Sequence, residues 1–153
     1  MIEAVRPLFP TDSFMNAAQS TRLLCAIALG LTVPLGLASK AYTGWGQAWV
    51  EGYLGDVLFE MAWIFFIGCL RPRVSSLKLS LWVFGLTSAV ETLQLWQPAW
   101  LQAIRATLFG KLFLGSTFVW ADFLYYAIGC WLGWAILSAI QTRAGLNVAR
   151  PSS

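Results

Sequence analysis

A small set of polar side chains, scattered through long apolar runs, carries whatever chemistry this chain performs. Asp56 and Glu60 are four residues apart, so a helix stacks them on one face, while Ser88, Glu91 and Gln94 follow at three-residue intervals as a single polar stripe. Arg105 stands between that stripe and Asp122, and Tyr126 lies one helical turn beyond Asp122. A guanidinium fork can bridge two carboxylates, or pair with one and keep donors for an anionic ligand. Two carboxyls in a low dielectric, one protonated and one ionised beside the arginine, could act as an acid–base pair. The bland alternative is a buried ion-pair network of Glu91, Arg105 and Asp122 that only fixes helix packing. Asp56 and Glu60 have a bland reading too, as solvated surface acids, and Asp122 as an anion at a helix N-terminus.

Composition decides the solvent in which this chemistry sits. The 153 residues suffice for one domain, 58% of them are hydrophobic, 15% aromatic and only 11% charged. Water-soluble domains carry about 25% charged residues, and so short a chain has too little interior to hide this much apolar surface. Lipid is the solvent that fits, which sets aside a cytosolic enzyme, a nucleic-acid binder and a disulfide scaffold. A net charge of +3 is too small and dispersed for nucleic acid. The chain has no histidine, and Cys25, Cys69 and Cys130 lie far apart in apolar runs, so neither a catalytic triad, a metal nor a cofactor is expected; the cysteines are small buried hydrophobes.

The apolar runs predict an all-α integral membrane four-helix bundle, with spans at about 23–39, 54–70, 77–96 and 119–141. The first contains Pro34, which should kink it. Its Ala38-Ser39-Lys40-Ala41 end is weakly cleavage-like, but the long leader and Lys40 predict retention. Residues 42–55 form an aromatic, glycine-rich loop in which Trp45, Trp49 and Tyr53 suit a membrane interface, where most of the tryptophans belong as anchors. Between the third and fourth spans, Leu101, Ile104, Leu108 and Leu112 recur at helical spacing, as in a short interfacial or re-entrant helix, with Gly110 and Gly115 turning the chain into the last span.

Basic residues orient the spans. With a cytoplasmic leader (residues 1–20) and a cytoplasmic tail (142–153), Arg6, Arg22, Arg71, Arg73, Lys78, Arg143 and Arg150 lie inside and Lys40, Arg105 and Lys111 outside, seven against three. Both termini are then cytoplasmic, and Asp56, Glu60, Glu91, Gln94, Arg105 and Asp122 all fall toward the outer face. An ionised side chain near a helix centre costs ~2.5–3.5 kcal/mol on insertion scales, so one shared pocket explains several acids better than separate accidents do. Gly129 and Gly133 offer a smooth patch for close helix approach.

The ordered set Gly36-Leu37-Ala38-Ser39-Lys40, Leu54-Gly55-Asp56, Glu91-x-x-Gln94-Leu95, Leu101, Arg105-Ala106-Thr107 and Leu114-Gly115-Ser116-x-Phe118-x-Trp120-x-Asp122-Phe123-Leu124-x-Tyr126-x-x-Gly129 resembles the small bacterial membrane proteins of the domain-of-unknown-function family DUF2809. The resemblance runs from about Gly36 to Gly133. More loosely, Glu91, Gln94, Arg105, Asp122, Gly129 and Gly133 are similar to the pattern of VanZ-like proteins, which usually carry Asn where this chain has Tyr126. That likeness implies a bacterial inner-membrane location and business with envelope lipids or their precursors.

The expectation is therefore a multi-pass protein that binds membrane lipid, an anionic headgroup or a lipid-linked envelope precursor, through Arg105, Glu91, Gln94, Asp122, Asp56 and Tyr126. The alternatives are an accessory or assembly subunit, as a homo-oligomer or in a membrane complex, with a purely structural polar cluster, and an intramembrane acid–base enzyme using Glu91 and Asp122.

Overall fold

The computed structural model describes residues 11–107 and 118–146, and among them every regular element is helical. Helix α1 spans Thr11–Lys40 and runs through Pro34 unbroken. Helix α2, Gln47–Leu70, includes a wider π-helical stretch at Val50–Leu54. Helices α3, Ser76–Leu93, α4, Ala99–Arg105, and α5, Trp120–Arg143, complete the elements of the described residues.

Three segments, Asn16–Lys40, Gln47–Leu70 and Trp120–Arg143, are long and apolar enough to cross a membrane. Helix α3 stands outside that set, having 18 residues with Lys78 and Glu91 among them. Large apolar side chains cover the outer surfaces: Leu23, Ile27, Leu31 and Leu35 on α1, Leu81, Trp82 and Leu86 on α3, Leu124 and Trp131 on α5 are all exposed. Continuous apolar surface on this scale suits lipid rather than water.

The four long helices alternate in direction. At one end the C-terminus of α1 meets the N-terminus of α2, where Lys40 Nζ donates to the Glu51 carbonyl at 2.6 Å. The N-termini of α2 and α5 meet there too, through Trp49 Nε1 donating to the Tyr125 hydroxyl at 3.1 Å. At the opposite end the Cys69 thiol donates to the Arg22 carbonyl at 3.5 Å, and Gln141 Nε2 to the carbonyls of Pro72 and Val74 at 3.0 and 2.8 Å. Helix α2 is central, packed between α1 and α5, and α3 leans mainly on α5. The core is Cys25, Val57, Met61, Ile64, Phe65, Leu79, Val83, Cys130 and Leu137.

Several boundaries differ from the sequence expectation. Residues 47–55, expected as loop, are already helical, because Gly46 takes the left-handed conformation (φ 75°) that lets the chain reverse before Gln47. Tyr53 then stacks on Tyr125 with ring centroids 4.2 Å apart, tying the new turn down. Helix α1 begins at Thr11, within the expected leader, and α3 ends at Leu93 rather than Trp96. The segment after the third long helix begins as the short helix α4, which turns Leu101 and Arg105 inward and leaves Trp100 and Ile104 exposed. Its expected continuation through Leu108, Gly110, Leu112 and Gly115 lies outside the described residues, as do Arg6, Lys111 and Arg150.

Gly129 and Gly133 set the spacing of α5 on α2. A Cβ at Gly129 would lie 2.7 Å from the Val57 carbonyl oxygen and 2.8 Å from Glu60 Cβ, and one at Gly133 would lie 2.6 Å from Ile64 Cδ1. Backbone cannot retreat as a side-chain tip can. We therefore expect Gly129→Ala to destabilise the fold by about 1–3 kcal/mol, the range for overpacking. Gly30→Ala, whose Cβ meets nothing within 4 Å, should not destabilise and should gain up to about 1 kcal/mol from helix propensity. Thermal unfolding in detergent checks the pair, and equal midpoints would contradict the close packing.

Candidate functional site

Glu91 sits two residues before the end of α3 and is only 2% exposed. Its carboxylate accepts three hydrogen bonds: from Gln94 Nε2 at 2.6 Å, from the Val119 backbone amide at 3.0 Å, and from the Tyr126 hydroxyl at 3.2 Å. Three-residue spacing explains the first, since Gln94 follows Glu91 by nearly one turn. The other two come from α5. Val119 is the N-cap residue of that helix, with extended backbone (φ −134°, ψ 120°), so its amide has no partner within the helix. Glu91 thus supplies from another element the anion that a helix N-terminus favours. Asp122 lies in the first turn of the same helix.

Arg105 is 8% exposed and departs from the expected ion pair. Its Nη2 donates to the Leu93 carbonyl at 3.0 Å and its Nη1 to the Trp96 carbonyl at 3.3 Å. Helix α3 ends here, and the guanidinium adds a donor to the Leu93 carbonyl, which also accepts the Trp96 amide at 3.0 Å. It reaches as well the Trp96 carbonyl of the turn that follows, at the negative end of the helix dipole. A fork of parallel donors reaches both. Among the described residues no carboxylate pairs with this guanidinium.

The other acids divide into two groups. Asp56 and Asp122 are partly buried, lie within electrostatic reach of each other and of Glu91, and both feel the Lys40 ammonium. Neither side chain accepts a hydrogen bond among the described residues. Glu60, which shares a helix face with Asp56, has no exposed surface and so is not a solvated acid. It lies against α5, where the Cys130 thiol donates to its Oε2 at 3.1 Å and its Oε1 has no partner. Glu91, Gln94, Tyr126 and Arg105 therefore form one cluster, Asp56 and Asp122 its less buried margin, and Glu60 a separate deeper feature.

Two participants escaped the sequence reading. Among the described residues Lys40 is the cation whose charge Asp56 and Asp122 feel, and it passes where Gly55 has no side chain: a Cβ there would lie 2.9 Å from Lys40 Cε. Its position at the end of a long apolar run was the available signal. The Val119 amide had none, because a backbone donor carries no residue type. Two sets of aromatic rings pack among themselves at this end, Trp49 and Tyr53 on Tyr125, and Phe118, Trp120, Phe123 and Tyr126 along the start of α5.

The cluster leaves two buried atoms unsatisfied, Gln94 Oε1 and Arg105 Nε. One is an acceptor and one a donor, and both residues are more than nine-tenths buried. Both belong to the same end of α3, where Arg105 binds the carbonyls of Leu93 and Trp96 and Gln94 lies between those two residues in the chain. Chemically, Gln94 Oε1 calls for a donor and Arg105 Nε for an acceptor. Among the described residues no His, Cys, Asp and Glu grouping could hold a metal ion.

Because Arg105 serves carbonyls and Glu91 serves donors, the two should act independently. Arg105→Met should cost about 1–3 kcal/mol, the penalty for stranding buried polar groups. No bond joins the two side chains, so most of that cost should persist in a Glu91→Gln background, with the coupling well below the about 3–5 kcal/mol of a broken buried ion pair. Chemical unfolding in detergent measures it, and a much smaller cost in the Glu91→Gln background would restore the ion pair.

The family model described as "Protein of unknown function (DUF2809)" matches residues 45–130, more than half of the chain. The match takes in Asp56, Glu60, Glu91, Gln94, Arg105, Asp122, Tyr126 and Gly129, and stops short of Lys40 and Gly133. No solved structure matches the chain.

Proposed function

The chain belongs to the DUF2809 family, and on that premise we propose that it is a four-span protein of the bacterial cytoplasmic membrane which binds a phosphate-bearing lipid headgroup or lipid-linked envelope precursor at its outer face. Helix α3 serves as the remaining span. Its 18 residues reach about 27 Å at 1.5 Å each, close to a hydrocarbon core of ~30 Å. Lys78 near its start can snorkel to the interface, and Glu91 near its end is satisfied internally. Alternating helix direction then puts both termini in the cytoplasm, the side favoured by the seven-to-three distribution of basic residues.

The observation that carries the binding role is the pair of stranded atoms, Arg105 Nε and Gln94 Oε1. A buried polar atom without a partner costs ~1–3 kcal/mol. A phosphate oxygen beside a hydroxyl would satisfy both atoms at once. Asp56, Asp122 and Lys40 would then border the headgroup, with the acids accepting from further hydroxyl or ammonium groups. Glu91 and Tyr126 hold the frame and do not touch the ligand. The VanZ-like pattern in the same residues is in keeping with this reading.

One observation favours a second reading. Each charge of the central cluster is already neutralised by a helix end, as a structural latch in an accessory or assembly subunit would be. An acid–base role for Glu91 gains nothing from this geometry, since the protein itself occupies the carboxylate with three donors.

Native mass spectrometry of protein purified in mild detergent separates the two readings. Wild type should retain a phosphate-bearing lipid. Arg105→Lys keeps the charge but lacks the fork and its Nε donor, and should lower occupancy about tenfold, the value of one charge-assisted hydrogen bond. Lys40→Ala, at an exposed residue, should weaken retention without altering the fold. Unchanged lipid in both variants, with near-UV circular dichroism preserved, would overturn the binding role and leave the latch.

A further inference from the structure

The opposite end of the molecule holds a second polar feature, unrelated to the Glu91 cluster. Arg22 of α1 and Arg71 and Arg73 of the turn after α2, with Gln19, line a cavity of about 420 Å³ whose apolar wall includes Leu70 and Val74. All three arginines are exposed. Among the residues whose side chains are described none has a carboxylate partner: Glu51, Asp56, Glu91 and Asp122 lie toward the other end, and Glu60 lies between α2 and α5.

The cavity wall is built rather than incidental. Pro72 stops α2 between the two arginines of the turn. The buried Gln141 side chain of α5 then holds that turn by donating to the carbonyls of Pro72 and Val74. The Cys69 thiol ties the same end of α2 to the Arg22 carbonyl on α1. Three guanidiniums are thus presented on a fixed frame, at the end of helices that cross the membrane, with apolar side chains directly beside them.

We propose that this cavity binds the phosphate of an anionic glycerophospholipid. The guanidinium forks match phosphate oxygens in geometry, and Leu70 and Val74 offer the apolar contact that an acyl chain requires and a free anion does not. Basic pockets between helices at the membrane surface are suited to this class of headgroup.

The test is native mass spectrometry of the full chain in a neutral detergent, titrated with phosphatidylglycerol, with phosphatidylcholine, and with inorganic phosphate as competitor. Wild type should prefer phosphatidylglycerol. The double variant Arg71→Gln/Arg73→Gln should weaken that binding about thirtyfold, as expected for two basic residues at an anionic surface, and leave phosphatidylcholine binding unchanged. Since the substituted side chains are exposed, the thermal midpoint should not move. Wild-type affinity for phosphatidylglycerol in the double variant would overturn the proposal. Displacement by an equal concentration of inorganic phosphate would overturn the lipid assignment in favour of a free anion. An equal loss in Arg105→Lys would move the lipid to the other end and overturn the proposal as well.

Discussion

Three donors from two helices converge on the Glu91 carboxylate, and the arrangement of the surrounding polar residues depends on that convergence. The Val119 amide fixes where α5 begins, the Tyr126 hydroxyl sets how α5 is rotated against α3, and Gln94 is held so that its own carbonyl oxygen faces away from Glu91. A carboxylate in an apolar setting is costly unless hydrogen bonds replace its hydration. Here the protein provides them, and the same bonds lock the ends of two antiparallel helices. The close approach of α5 to α2 at Gly129 and Gly133 completes the frame from the other side.

The placement of charge follows a rule different from simple pairing. Glu91 meets the N-terminus of α5, and Arg105 meets the C-terminus of α3. Each helix end leaves backbone groups unpaired and carries partial charge of about half an electron. A carboxylate at one and a guanidinium at the other bond to backbone groups at the helix ends, where the dipoles favour their charges, instead of pairing with each other. This leaves Asp56 and Asp122 dependent on Lys40, and the Arg105 Nε and Gln94 Oε1 atoms open.

Much of this was legible in the sequence, and the limits have physical causes. The three helices long and apolar enough to cross a membrane followed from 58% hydrophobic and 11% charged residues in a chain of 153, because so few charged groups leave long uninterrupted apolar runs. The membership of the cluster followed from helical spacing: Glu91 with Gln94, and Asp122 with Tyr126, share helix faces whatever the tertiary structure. The partner of Arg105 did not follow, because backbone carbonyls compete with carboxylates for a guanidinium and carry no signature in residue type. Glu60 looked equivalent to Asp56 on a shared face, yet burial against Cys130 separates them. The early start of α2 was hidden by a glycine-rich, aromatic composition that suits a loop until Tyr53 finds Tyr125.

The central claim, that Glu91 holds α5 in place through its own hydrogen bonds, is tested most directly by a double-mutant cycle between Glu91→Gln and Tyr126→Phe, read by equilibrium unfolding in detergent. Partners in one hydrogen-bond network show coupling energies of about 0.5–3 kcal/mol, and a value of at least about 1 kcal/mol is expected for a bond to a charged group. Strict additivity of the two substitutions would contradict the account and reduce the Glu91 cluster to neighbours without a shared bond.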